Sequence, residues 1–221
     1  MNECLNSEVG KVKSSEGILF SFLKRLFDIC CSILGLILLI PSACIIKIIN
    51  VIHGDFGSIV YSQTRIGKNG KTFKLYKYRS MVLNADEMLK ELLKKEPYKT
   101  EWEEYQKLKD DPRITKVGKI LRKTSCDELP QMISILKGDM SFIGPRPLVP
   151  GELEEHGGNT QLYNSVKPGL TGWWACNGRS NIDYKERLDL EYYYCKNASL
   201  KLDIKIFFET IKIVFLGKGV R

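Results

Sequence analysis

Histidine is scarce: only His53 and His156 occur in 221 residues, and neither sits in a ligand-spaced cluster or beside a nucleophile motif. Catalysis through an imidazole base is therefore not encoded in any recognisable pattern. The cysteines give no framework either. There are seven, at positions 4, 30, 31, 44, 126, 176 and 195, an odd number with no C-x-x-C pair and with three inside one apolar run. That excludes a disulfide scaffold and a zinc ligand set, and it fits a reducing, cytosolic setting. A phosphate loop is missing as well: GKNGKT at 67–72 has the right tail, but Arg65 stands where the first glycine is required. Repeats and low-complexity tracts are absent.

What is present is a globular composition. Hydrophobic residues make up 43% and charged residues 27%, with a mean hydropathy of −0.17, which excludes a disordered chain, a collagenous one and a polytopic membrane bundle. The net charge is +8. Residues Asp86 to Asp111 carry nine acids against six lysines, so the rest of the chain holds +11. Such a remainder suits an anionic partner, either a phosphorylated substrate or an anionic membrane face. Nucleic acid is not expected, because no recognition motif or interleaved aromatic platform accompanies the charge.

Met1 to Gly17 is polar and reads as a loose arm. Ile29 to Ile46 then gives eighteen residues without a charge, flanked by Lys24, Arg25 and Asp28 on one side and Lys47 on the other, with Pro41 two-thirds of the way along. Three readings of this run stay open: a spanning helix, a buried core helix, and a re-entrant helix that enters one leaflet, breaks at Pro41 and returns. In the last, the Ser42 hydroxyl can serve a carbonyl that the proline leaves without a donor. A lipoprotein resemblance at PSAC (Pro41 to Cys44) places a proline where an aliphatic residue is wanted. Further on, Ser58 to Gln63 and Thr72 to Tyr78 read as a hairpin around Gly67 to Gly70. Asn84 to Lys109 reads as a charged helical segment broken at Pro97, with Glu91 and Lys95 as an i,i+4 pair. Leu200 to Leu216 reads as an amphipathic helix, with Leu200, Ile204, Phe207, Phe208, Ile211 and Phe215 on one face. That stripe suits a core and a membrane interface equally well.

The densest polar stretch is Arg122 to Arg146, which holds the adjacent carboxylates Asp127 and Glu128 and the rigid turn Gly144 to Pro147. Two readings compete for the carboxylates. Ser125 and Glu128 have capping-box spacing, and Asp127 can itself be an N-cap with Pro130 in the first turn. Alternatively, carboxylates near a helix start stay ionised in the positive end of the helix field, which also attracts phosphate. An ionised aspartate flanked by arginines can attack phosphorus, and Arg122 and Arg146 would offer forked donors to diphosphate oxygens.

Five motifs in order carry a resemblance: KRLFD (Lys24 to Asp28) before the proline-interrupted run, YKYRSM (Tyr76 to Met81), DELPQ (Asp127 to Gln131), KGDMSFIGPRP (Lys137 to Pro147) and KPGLTGW (Lys167 to Trp173). The chain resembles the bacterial sugar transferase family, the monotopic phosphoglycosyl transferases, in their minimal catalytic form without the extra N-terminal membrane domain of larger members. The resemblance implies a mainly helical α+β fold with a small β-hairpin, an N-terminal re-entrant helix-break-helix and interfacial amphipathic helices. It divides the chain into a polar arm (1–23), a re-entrant membrane helix (24–50) and a cytoplasmic catalytic domain (51–221) at the bacterial inner membrane. Lys24, Arg25, Asp28, Pro41 and Ser42 would form the membrane anchor.

The implied reaction moves a phosphosugar from a UDP-sugar to polyprenyl phosphate and releases UMP. Asp127 would be the nucleophile, and Glu128 would bind a magnesium ion. Arg122 and Arg146 fall at phosphate-contacting positions, Asp189 at an acidic one, and Lys77, Arg79 and Arg179 are further donor-binding candidates. The inner leaflet, downstream glycosyltransferases and a second copy of the chain are the implied partners. A non-catalytic membrane-anchored basic module, or a lipoprotein, is the competing reading. Departures from the family pattern fall at Ile40 before Pro41, at Ser134, and at Trp174 to Cys176 after TGW.

Overall fold

The computed structural model describes residues 17–105, 108–178 and 182–216. Its largest element is α1 (Ile18–Ile52), a helix of 35 residues, about 50 Å long. It begins inside the stretch expected as an arm and runs on through Pro41, so the expected helix-break-helix is one continuous helix. Asp28, Ser32, Ile46 and Asn50 are buried along one face, and Leu36, Leu39 and Ala43 on the same face pack against the domain. At Gly35 the approach is so close that a Cβ would stand 2.6 Å from Met132 Cγ. Ile33, Leu34, Ile37, Leu38 and Ile40, on the other side, are 50–73% exposed.

α1 is long and apolar enough to cross a membrane, yet one face of it packs along the domain from Asp28 to Asn50 and it does not break at Pro41. A core helix would be covered all round. The charges flanking the run point inward: Lys24 Nζ donates to Asp203 Oδ2 at 2.6 Å and to Ile143 O at 2.9 Å. Arg25 donates to Ile135 O and Leu136 O at 2.7 and 2.6 Å. Asp28 Oδ1 accepts from Ser141 Oγ and from the Phe142 N–H at 2.9 and 2.7 Å. Three of the five residues expected as a membrane anchor thus tie the helix to the domain. Near Pro41, which has no N–H to give, Ser42 Oγ donates to Leu38 O at 2.7 Å and Tyr78 OH donates to Leu39 O at 2.8 Å.

The hairpin pairs β1 (Val60–Ile66) with β2 (Thr72–Tyr78) antiparallel, Val60 opposite Tyr78 and Ile66 opposite Thr72. Its first strand lies two or three residues later than the apolar pattern suggested, which brings Arg65 into the strand. The acidic segment forms α2 (Ala85–Leu92) and α3 (Tyr98–Tyr105), and Glu91 pairs with Lys94 at 2.7 Å rather than with Lys95. α4 (Lys116–Thr124) is capped by Thr115, whose side chain accepts from the Gly118 N–H. It ends at Ser125 in the left-handed region, and a 3-10 turn, Cys126–Gln131, leads into α5 (Met132–Lys137).

β3 (Ser141–Ile143) pairs in parallel with β4 (Gly169–Thr171). Between them lie α6 (Glu152–Glu155) and α7 (Thr160–Tyr163), and after them the short α8 (Trp173–Cys176) and the long α9 (Tyr184–Asn197) and α10 (Leu200–Leu216). The main core joins Ile143, Val166, Tyr194 and Ile206, with Phe27 and Phe207 against it. α10 thereby shows a second apolar face. Ile206 is fully buried, while Leu200, Ile204, Phe208 and Ile211 of the expected stripe are 37–64% exposed. Phe207, assigned to that stripe from the sequence, turns inward against Phe27 with ring centroids 5.3 Å apart. The Phe215 side chain lies outside the described part of the helix.

Candidate active site

Asp127 and Glu128 lie in the 3-10 turn, not at the start of an α-helix. Ser125 makes no capping hydrogen bond through its side chain there, and the Glu128 carboxylate reaches across to β2, where Lys77 Nζ donates to Oε1 at 2.8 Å. The capping-box reading is thus overturned by the left-handed backbone at Ser125, φ 56°, which swings the turn away from cap geometry. Burial raises the Asp127 pKa above the ordinary aspartate value and the Glu128 charge adds to this, while Lys77 and Arg122 pull it down. The field of a helix end does not dominate here; loss of water does. Arg122 is half-buried, its Nε donating to Ser80 Oγ at 2.9 Å. Its proximity to Asp127 is felt in its own pKa, which burial lowers and Asp127 raises.

Next to this turn opens a cavity of about 360 Å³ that Lys77, Glu128, Arg65, Arg146, Thr171 and Trp174 help to line. Period-2 alternation in β2 sends Leu75 and Lys77 to the cavity side. Three buried donors have no partner among the described residues: Arg65 Nε, Arg146 Nε and Trp174 Nε1. All three residues line the cavity. None of these groups can accept a hydrogen bond, so the ligand that satisfies them must present acceptors, as phosphate oxygens do.

The Arg146 turn is held from behind. Its backbone N–H donates to Glu191 Oε2 at 3.2 Å, its carbonyl accepts from Tyr163 OH at 2.8 Å, and Tyr163 OH also bonds Glu191 Oε2. Arg187 donates to Glu152 Oε1 at 3.1 Å and lies 3.7 Å from Glu191 Oε1, while Arg65 Nη1 is 3.9 Å from Glu152 Oε2. The Arg65 and Arg187 guanidiniums thus share Glu152 and Glu191, and the Arg146 guanidinium adds a third positive charge to the region. Burial, then Arg146, lowers the pKa of both Arg65 and Arg187.

Of the residues expected from sequence, the structure brings Asp127, Glu128, Lys77, Arg122 and Arg146 to this region. Arg79 is elsewhere: it is spent on a bidentate pair with Asp55 at 2.8 Å and on the carbonyls of Ser58 and Met81. Asp189 is exposed on α9 and lines no part of the cavity. The α9 carboxylate that reaches the arginines, beside Glu152, is Glu191, half a turn on. Arg179 lies outside the described residues. Sequence reasoning missed Arg65, Glu152, Arg187 and Glu191; only the i,i+4 spacing of Arg187 and Glu191 was there to be seen. Cys126, beside Asp127, packs with Tyr78 and Leu121.

Among the described residues no three His, Cys, Asp or Glu side chains form a metal-binding group. The paired carboxylates of Asp127 and Glu128 still fit a magnesium ion, which typically takes one or two carboxylates and completes its shell with water and substrate phosphates. The upward pressure of Glu128 on Asp127 is the mark of local negative charge that a cation would relieve.

A family model described as bacterial sugar transferase matches residues 19–217. The chain is 49% identical over 199 residues to an undecaprenyl-phosphate galactose phosphotransferase of Salmonella typhimurium, covering 90% of this chain and 41% of that protein. To the exopolysaccharide production protein ExoY of Sinorhizobium fredii it is 43% identical, covering 96% of this chain and 92% of that one. To a UDP-N-acetylgalactosamine-undecaprenyl-phosphate N-acetylgalactosaminephosphotransferase of Aeromonas hydrophila it is 31% identical, covering 92% and 46%. The chain spans less than half the length of the first and third of these relatives.

Proposed function

The chain belongs to the bacterial sugar transferase family, and we propose that it moves a phosphosugar from a UDP-sugar to polyprenyl phosphate in the first membrane step of surface glycan assembly. The observation that carries this reading is the pairing of Asp127 and Glu128 on one turn, flanked by Lys77 and Arg122, beside a cavity whose buried donors await acceptor oxygens.

In the first step an Asp127 carboxylate oxygen attacks the sugar-linked phosphorus. The bond from that phosphorus to the bridging oxygen breaks, and UMP leaves with the electron pair. Arg146, Arg65 and Lys77 face the growing negative charge on the leaving phosphate, and the buried Nε donors of the two arginines act there more strongly than in water. In the second step an oxygen of polyprenyl phosphate attacks the same phosphorus and Asp127 leaves as a carboxylate, giving a polyprenyl-diphosphate sugar. Glu128, which accepts from Lys77 at 2.8 Å, places a second carboxyl beside the nucleophile. Asp127 and Glu128 would hold the magnesium ion, which when bound supplies neutralising charge at the diphosphate. The exposed faces of α1 and α10 seat the domain on the cytoplasmic face of the inner membrane, where a lipid acceptor and a soluble donor can meet.

The test is UMP release from a panel of UDP-sugars with magnesium and polyprenyl phosphate, using wild type and Asp127→Asn. Loss of release in the variant, with an intact-mass adduct of one phosphosugar in wild type only, is the expected result. Near-normal turnover by folded Asp127→Asn removes the nucleophile from the reading.

A further inference from the structure

A second group of cations meets on the chain, away from the cavity, where α1 passes the end of α5. Gly138 closes α5 with φ +90°, in the left-handed region that favours glycine, and its missing side chain leaves an opening between two charges. A Cβ at this position would lie 3.5 Å from Lys167 Nζ and 3.6 Å from Arg25 Nη2. Arg25 spends one N–H of each terminal nitrogen on Ile135 O and Leu136 O and keeps a second on each. Lys167 Nζ makes no hydrogen bond or ion pair among the described residues, although it is half-buried. Lys68 adds a third positive charge close enough to act on Lys167. The opposing carboxylates are Asp28, already engaged by Ser141 and Phe142, and the exposed Asp139.

A half-buried ammonium that faces another cation is costly until an anion joins it. Burial, with Arg25 next, lowers the Lys167 pKa, in keeping with an incomplete site. The surroundings say what kind of anion fits. Arg25 stands one turn before the uncharged run, between Phe22 and Leu26, 63% and 49% exposed, and the opening is bordered by Leu136, 37% exposed. None of Arg25, Gly138 and Lys167 lines the cavity. An anion attached to acyl chains can occupy the opening and cover these side chains at once; a soluble one cannot.

We propose that Arg25, Lys167 and the opening over Gly138 cradle the phosphodiester of an anionic membrane phospholipid whose chains lie along the exposed face of α1. The site does not depend on the transfer reaction, and binding alone reads it.

The full chain, Lys167→Gln and Lys167→Arg are compared for partition onto vesicles of phosphatidylcholine alone and of phosphatidylcholine mixed with phosphatidylglycerol, at fixed salt. Wild type is expected to prefer the mixed vesicles. Lys167→Gln should lose about fivefold on them, the effect of one lysine at an anionic surface, and nothing on phosphatidylcholine, while Lys167→Arg should bind as wild type does. Equal partition of Lys167→Gln and wild type on mixed vesicles overturns the proposal, as does an equal loss on both vesicle types. Release of the Lys167-dependent binding by inorganic phosphate at constant ionic strength assigns the cradle to free phosphate and also overturns it. So does a raised KM for polyprenyl phosphate in Lys167→Gln with vesicle partition unchanged.

Discussion

The Tyr78 hydroxyl donates to the Leu39 carbonyl at 2.8 Å, joining the last residue of the hairpin to the turn of α1 just before Pro41. Ser42 Oγ lies 2.8 Å from the same hydroxyl. Two carbonyls in the turn before Pro41 thus accept from side chains, one from the hairpin and one from within the helix.

Tyr78→Phe removes that donor without changing the packing of the ring. It should cost about 1 kcal/mol, the net worth of one hydrogen bond, seen as a lower melting temperature in detergent. An unchanged melting temperature would show that the bond does not support the helix.

Glu191 gives a pH signature. Burial pushes its carboxyl well above the ordinary range, against the pull of Arg146 and with the help of Glu152. A carboxyl raised in the folded state contributes stability that is whole below its unfolded value, about 4.3, and that is lost as pH rises toward the folded one. Glu191→Gln, neutral throughout, should match wild type in acid and gain on it progressively toward neutral pH. Denaturant melts across that window decide the point, and a pH-independent difference would sink it.

Arg146 and Arg79 should separate activity from stability. Arg146→Lys loses the buried Nε donor and the planar fork, and kcat/KM for UMP release should fall about 100-fold. Arg79→Met should leave kcat/KM unaltered while costing about 2 kcal/mol of stability through the abandoned Asp55 carboxylate. The reverse pattern would place the substrate phosphates on the wrong arginine.

The two faces of α10 make opposite predictions. Ile204→Ser with Phe208→Ser, on the exposed face, should reduce recovery in the membrane fraction and leave the melting temperature within the range of ordinary surface changes, about 0.5 kcal/mol. Ile206→Ser, at a fully buried site, should cost about 3 kcal/mol or more. Membrane recovery insensitive to the double substitution would remove α10 from the bilayer contact.

Local order was legible where a residue type dictates backbone or periodicity. Thr72 to Tyr78 alternates as a strand must, and Leu200 to Leu216 repeats as a helix must, so both elements have the expected bounds. The Asp127 and Glu128 pair stands out in the sequence as adjacent carboxylates in its densest polar stretch, and the DELPQ resemblance supplies the role expected of it. In the sequence Arg65 reads only as a missing glycine, and Glu191 shows only its i,i+4 spacing from Arg187. Strand and helix patterns say which residues share a face but not which face meets which neighbour.

The amino-acid order alone determined that a run of eighteen uncharged residues precedes a basic domain and that two carboxylates stand side by side, since both follow from covalent neighbours. The tertiary structure alone decided that Lys24, Arg25 and Asp28 tie α1 to the domain, that Arg79 is spent on Asp55, and that Arg65, Arg146 and Trp174 present donors to one cavity. Charged side chains take whichever acceptor or counter-charge the packed elements bring within hydrogen-bond reach, and that choice is made between segments distant in sequence.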